Sequence, residues 1–139
     1  MNNFLAALNT KFTDSDLYND VSGRVYLDEA DSPDYPRVVY SVIAAPKEKT
    51  FTEQYVNILL QVSLYSAKSA GMAVMTTMYS DLVALLDEGT LDDLTGYTLV
   101  WMREENLVPM SEKLTTPLPD GSTGLLSWHV DFEIRLSKN

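Results

Sequence analysis

The stretch that decides the fold is Leu125-Leu126-Ser127-Trp128-His129-Val130-Asp131-Phe132-Glu133-Ile134-Arg135-Leu136-Ser137. Leu126, Trp128, Val130, Phe132, Ile134 and Leu136 alternate one for one with Ser127, His129, Asp131, Glu133 and Arg135. Successive side chains on a strand point to opposite faces, so this is a strand with one apolar and one polar side. Residues 53–65 repeat the pattern. Val56, Ile58, Leu60, Val62 and Leu64 point one way, and Asn57, Gln61 and Ser63 the other.

Working outward, residues 70–88 carry Met75, Met78, Tyr79, Leu82, Leu85 and Leu86 at spacings of three and four, one apolar stripe of a helix that Gly89 stops. Phe4, Leu5, Leu8 and Phe12 mark a shorter helix over residues 3–13, capped by Asn2 or Asn3. A further helical turn follows Asp14 over residues 15–21 and stops at Gly23. Residues 24–28 read as a short strand and residues 29–36, with two prolines and three acidic residues, as a loop. Residues 37–45 read as a strand with apolar residues on both sides, which predicts a central position covered on each face. A turn at residues 46–50 follows. Residues 97–104 predict another strand. Residues 105–123 contain Pro117, Pro119 and Gly121 and lack a clear period, so they read as a long loop whose trimming over 111–119 leaves the fold intact.

The expected architecture is α+β. It is an antiparallel or mixed sheet of four to five strands, with one long and one or two short helices packed on one face. Residues 1–139 form a single domain with enough apolar residues for one core. The other sheet face needs solvent or a partner.

Composition narrows the function. Ten basic residues stand against twenty acidic ones, a formal charge of -10, which disfavours broad contact with a phosphate backbone. There is no cysteine, so disulfides, thiolate metal sites and cysteine nucleophiles are excluded. No apolar run approaches ~20 residues and no basic segment precedes an apolar one, so neither a membrane span nor a signal peptide is expected.

Catalytic patterns are missing in the sequence. His129 is the only histidine and falls on the polar face of its strand, where an exposed structural residue is the plain reading. Asp14, Asp16 and Asp20, residues 28–34 and residues 87–93 are acidic clusters without the alternation and closing Glu of a calcium loop. Ser63, Ser66 and Ser69 are expected to lack a nearby general base, which leaves nucleophilic catalysis without a partner. The expectation is therefore a non-enzyme with no catalytic residue, cofactor or metal. Tyr55 and Tyr65 share the polar face of one strand, and tyrosine is favoured at protein interfaces. Candidate subunit contacts are Tyr55, Asn57 and Gln61 on that face, with Lys47, Glu48 and Lys49 in the adjoining turn.

The motif order is Gly23-Arg24-Val25-Tyr26, Pro36-Arg37-Val38-Val39-Tyr40, the strand ending at Tyr65, the helix ending Leu82-Val83-Ala84-Leu85-Leu86-Asp87, and two final strands flanking Asp120-Gly121. It resembles the tail terminator (tail completion, head–tail joining) family of long-tailed phages and prophages over nearly the whole chain. The resemblance implies a homo-hexameric ring that caps the tail tube, ends its polymerisation and docks to a head-side connector. It also implies assembly in the bacterial cytoplasm and a place at the tail–head junction, with DNA passing through the lumen unrecognised. Another neck or tail-tube component is the nearest alternative, and a small non-catalytic regulatory or ligand-binding domain is one of a different class.

Overall fold

The computed structural model describes residues 2–31, 34–49, 53–92 and 94–139. In chain order it holds α1 (Asn2–Thr13), α2 (Asp16–Asp20), β1 (Val25–Leu27), β2 (Arg37–Ala44), β3 (Lys47–Lys49), β4 (Gln54–Ala67), α3 (Met72–Leu86), β5 (Tyr97–Lys113) and β6 (Gly124–Lys138). The six strands form one mixed sheet in the order β1-β2-β4-β6-β5, with β3 also paired to β4. β1 runs parallel to β2 and every other pair is antiparallel. The fold is α+β, with one strand more than the upper expectation.

The two alternating stretches meet at the centre. β4 and β6 pair without a slip from Tyr55 opposite Ser137 to Ala67 opposite Leu125. This register stacks Val56, Ile58, Leu60, Val62 and Leu64 beside Leu136, Ile134, Phe132, Val130 and Trp128 on one face. A one-residue slip would turn one strand's apolar set to the opposite face, so burial on one face sets the register. The helices supply the cover: Phe4, Leu8 and Phe12 of α1, Leu17 of α2, and Met75, Met78, Leu82 and Leu86 of α3 all join the same buried cluster.

Local chemistry sets the helix ends. Ser15 joins α1 to α2, because its hydroxyl donates to Phe12 O at 2.5 Å and accepts from the Tyr18 N–H at 3.2 Å. The end of α3 differs from expectation. Glu88, not Gly89, takes the left-handed conformation (φ 55°), and its N–H donates to Met102 O at 2.8 Å. Gly89 is required for a different reason: a Cβ there would lie 2.6 Å from Leu85 O.

Three further expectations are corrected. The segment assigned to a long loop is mostly strand, because β5 continues to Lys113 and pairs with β6 throughout. Extra residues between Leu99 and Trp101 and between Glu104 and Asn106 shift the alternation twice, so Leu99, Met102 and Leu107 reach the core from positions of mixed parity. β5 is an edge strand, the place where Pro109 is tolerated. Trimming residues 111–119 would therefore remove paired strand, since Ser111 and Lys113 lie opposite Leu126 and Gly124. The expected turn after β2 contains β3, a short strand on β4; Thr50, at its end, lies outside the described residues. β2 is internal, but only one of its faces is covered: Val38 and Tyr40 are buried, whereas Ile43 is 55% exposed.

Candidate functional site

All three helices contribute to the core on one side, which leaves the opposite side of the sheet without a covering element among the described residues. The odd-numbered residues of β4 and β6 build this open face. The cross-strand register arranges it in rows: Tyr65 beside Ser127 and Met110, Ser63 beside His129 and Val108, Gln61 beside Asp131 and Asn106, Leu59 beside Glu133 and Arg103, and Asn57 beside Arg135 and Trp101.

The rows nearest β3 carry charge and aromatic rings together. The Arg135 guanidinium lies 4.0 Å from the Tyr55 ring centre and 5.2 Å from that of Trp101, and Arg103 covers Trp101 at 4.6 Å. Arg135 pairs with Glu48 at 3.5 Å, and Arg103 with Glu133 at 3.3 Å and Glu105 at 3.4 Å. Asn57 Nδ2 donates to Glu48 Oε2 at 3.3 Å. A hydrogen bond between the Glu105 and Glu133 carboxyls raises the pKa of Glu105 and lowers that of Glu133. Each guanidinium lies over an aromatic ring, a cation–π contact that favours one arrangement of these long side chains. Arg37 does the same at the far end, over Tyr35 at 4.5 Å and Tyr65 at 5.4 Å.

The structure brings Glu48, Tyr55 and Asn57 into one cluster. Gln61 sits apart, its Nε2 donating to Asp131 Oδ1 at 3.4 Å. Lys47 and Lys49 lie opposite Val56 and Gln54, so alternation turns them toward the helix side. There Lys47 borders a cavity of about 180 Å³ lined by Phe4, Val56, Ile58, Tyr97 and Leu136. Sequence reasoning missed Trp101, Arg103, Glu133 and Arg135 as members of the cluster. Arg135 and Glu133 were legible as outward residues of the last strand. Only the β5 register adds Trp101 and Arg103.

His129 is not a bare exposed residue, and the expectation that Ser63 lacks a nearby base is overturned. Ser63 Oγ lies 2.8 Å from His129 Nδ1, and Ser127 Oγ lies 3.1 Å from His129 Nε2. Ser127 in turn bonds Glu112 Oε1 at 3.4 Å. A hydroxyl beside an imidazole is the start of a nucleophile–base pair. Here both ring nitrogens face serines, and the β4–β6 ladder runs unbroken through Ser63 and His129. Backbone N–H groups tied into a ladder cannot turn to stabilise an oxyanion. What the chain of bonds does is join β4, β6 and β5 across the face.

On the helix side, the Tyr79 hydroxyl donates to both Glu104 oxygens, at 2.9 and 2.7 Å. Burial first, then the Glu104 carboxylate, pushes its pKa up to about 12. Glu104 N–H donates to Asp87 Oδ1 at 2.9 Å, which pins the second irregularity of β5 to the end of α3. Asp120 accepts from the Ser122 hydroxyl at 2.6 Å, from its N–H at 2.9 Å and from Ser69 Oγ at 2.7 Å, and these bonds hold its pKa down at about 2. They tether the loop between β5 and β6 to the turn before α3. No three metal-ligating side chains converge among the described residues, and no described helix is long and apolar enough to cross a membrane.

No family model and no curated protein matches the chain. Among solved structures, it is similar to a chain in the virion of a native gene transfer agent particle. The identity is 16%, the TM-score is 0.67, and the match covers 95% of this chain and 92% of that one. At that identity the likeness is one of fold, and it extends over the domain from end to end.

Proposed function

We propose that this protein is a structural component of a phage-type virion. In the finer reading it is a tail terminator that caps the tube, ends its polymerisation and offers the surface for head–tail joining. The observation that carries the coarser reading is the near-complete fold likeness to a chain of a virion particle. The open sheet face supports a role in assembly. It carries Tyr, Trp and Arg in a pre-ordered cluster, the side chains that dominate protein contacts, on a chain that is otherwise strongly acidic.

In this reading copies assemble as a homo-hexameric ring between the tail tube protein and a head-side connector, and the protein is not an enzyme. Net negative charge suits a ring through which DNA passes without sticking. Electron microscopy of a lysate lacking the protein tests the assignment. A terminator's loss leaves overlong tails detached from filled heads. Absence of all tails would replace it by a tube component, and normal virions would remove the protein from the particle altogether. Native mass spectrometry of the purified chain tests the ring separately.

A further inference from the structure

Asp120-Gly121 is the one place in the sequence where an aspartate precedes a glycine, and no asparagine precedes one. The loop between β5 and β6 uses both residues. Pro119 and Asp120 form the tip of a turn that the Gly121 N–H closes by donating to Leu118 O at 2.8 Å. The Leu118 N–H donates across the loop to Ser122 O, also at 2.8 Å. Gly121 takes a left-handed conformation (φ 85°), which a side chain would strain. Asp120 ties the loop together: Oδ1 accepts from the Ser122 hydroxyl and N–H, and Oδ2 from Ser69 Oγ on the turn before α3.

The same pair is chemically labile. The Gly121 nitrogen can close a five-membered ring on the Asp120 carboxyl carbon. In that step an N–Cγ bond forms, and the carboxyl OH leaves with the amide proton as water, which gives a succinimide. Water then opens the ring at either carbonyl. Opening at the main-chain carbonyl leaves isoaspartate, with the backbone rerouted through Cβ and the carboxylate on Cα. One water is released and one taken up, and no other reactant is needed. Glycine hinders the attack least, because it has no Cβ. Packing adds no shield here: a Cβ built on Gly121 meets no atom within 4 Å, and Asp120 is exposed.

We propose that Asp120-Gly121 is this protein's site of spontaneous isoaspartate formation, held in check by the hydrogen bonds from Ser122 and Ser69 to Asp120 and from Gly121 to Leu118. Two obstacles separate the docked loop from the ring. The attacking nitrogen is engaged by Leu118 O and must first leave that acceptor. The carboxyl must be protonated for its oxygen to leave as water, yet the Ser122 hydroxyl, the Ser122 N–H and Ser69 favour the anion and bring its pKa down to about 2. Ser69 lies 51 positions away in sequence, so its bond exists only while the loop is docked on the folded domain. After isomerisation the carboxylate no longer sits where Ser69 and Ser122 donate, so a loop once altered stays released.

The test compares three samples held at 37 °C and pH 6: the native protein, the same protein in concentrated guanidinium chloride, and native Ser69→Ala. Ser69 is exposed, and matching thermal melts confirm that the variant is folded. Isoaspartate is counted by enzymatic methyl transfer to its α-carboxylate and located by fragmentation of the peptide spanning residues 114–123. The denatured chain should form it at Asp120, and the native protein should do so about tenfold more slowly or less. Loss of one hydrogen bond to a charged group should make Ser69→Ala faster than native wild type by about fivefold or more. Equal rates in the native and denatured samples overturn the protection. Isoaspartate that accumulates elsewhere and not at Asp120 overturns the site. A Ser69→Ala rate equal to wild type overturns the part given to Ser69.

Discussion

Asp20 is the clearest handle on how charge enters stability. It sits on α2 facing Asp81 on α3, with Asp16 one turn away. Burial, a hydrogen bond to the Asp81 carboxyl and the charges of Asp81 and Asp16 together raise its pKa from 3.8 to about 7. A carboxyl whose folded pKa is raised stabilises the fold in its protonated form. That stability is fully present below the unfolded pKa and is lost as the pH rises through about 7. At full weight the shift corresponds to about 4 kcal/mol. Water has access to the neighbouring cavity bounded by Asp14, Asp16 and Asp81, and screening leaves about 1–2 kcal/mol. About three-fifths of that is lost between pH 5 and pH 8, which for a domain of this size is a fall in Tm of roughly 2–5 °C. Asp20→Asn keeps the hydrogen bond and removes the proton, so its Tm should change much less over the same range and exceed wild type at pH 8. Thermal melts at both pH values decide the matter. An equal pH dependence in the two proteins would refute the reasoning.

Phe132→Ala should cost about 3–5 kcal/mol in urea denaturation, because the ring is fully buried on the strand that joins both halves of the sheet. With total stability on the order of 5–15 kcal/mol, that variant will be only marginally folded. Asp120→Ala should leave the urea midpoint nearly unchanged but speed proteolysis within residues 114–123, since it releases the tether to Ser69. If that loop is cut no faster, the tether is not what holds it. Arg135→Ala strips the cover from Tyr55 and leaves Glu48 without its ion pair. Self-association should weaken by about tenfold or more while the monomer stays folded, and unchanged assembly would remove this cluster from the contact.

The sheet's centre was legible because β4 and β6 each keep a strict period of two, and α3 because its stripe keeps 3.6. β5 was half legible. Its two bulges change the parity of the core residues, and on an exposed edge Val108, Pro109 and Met110 have no burial pattern to reveal them. Of the proposed contact residues, Glu48, Tyr55 and Asn57 meet in space. Their partners Trp101 and Arg103 could be assigned only from the register with β6. The Ser63–His129 bond was hidden for the same reason: the two residues are 66 positions apart, and only strand pairing makes them neighbours.

The β4–β6 ladder also has a consequence in time. β4 is made well before its partner β6, so β4 has no neighbour on that side until translation has passed residue 124. Pairing over such a sequence separation is intrinsically slow. A nascent chain stopped inside β5 lacks Phe132, Ile134 and Leu136, and with them one wall of the core. Such a fragment leaves one edge of β4 unpaired over residues 55–67. The order in which the strands are synthesised therefore holds the core open until residues 124–138 have emerged.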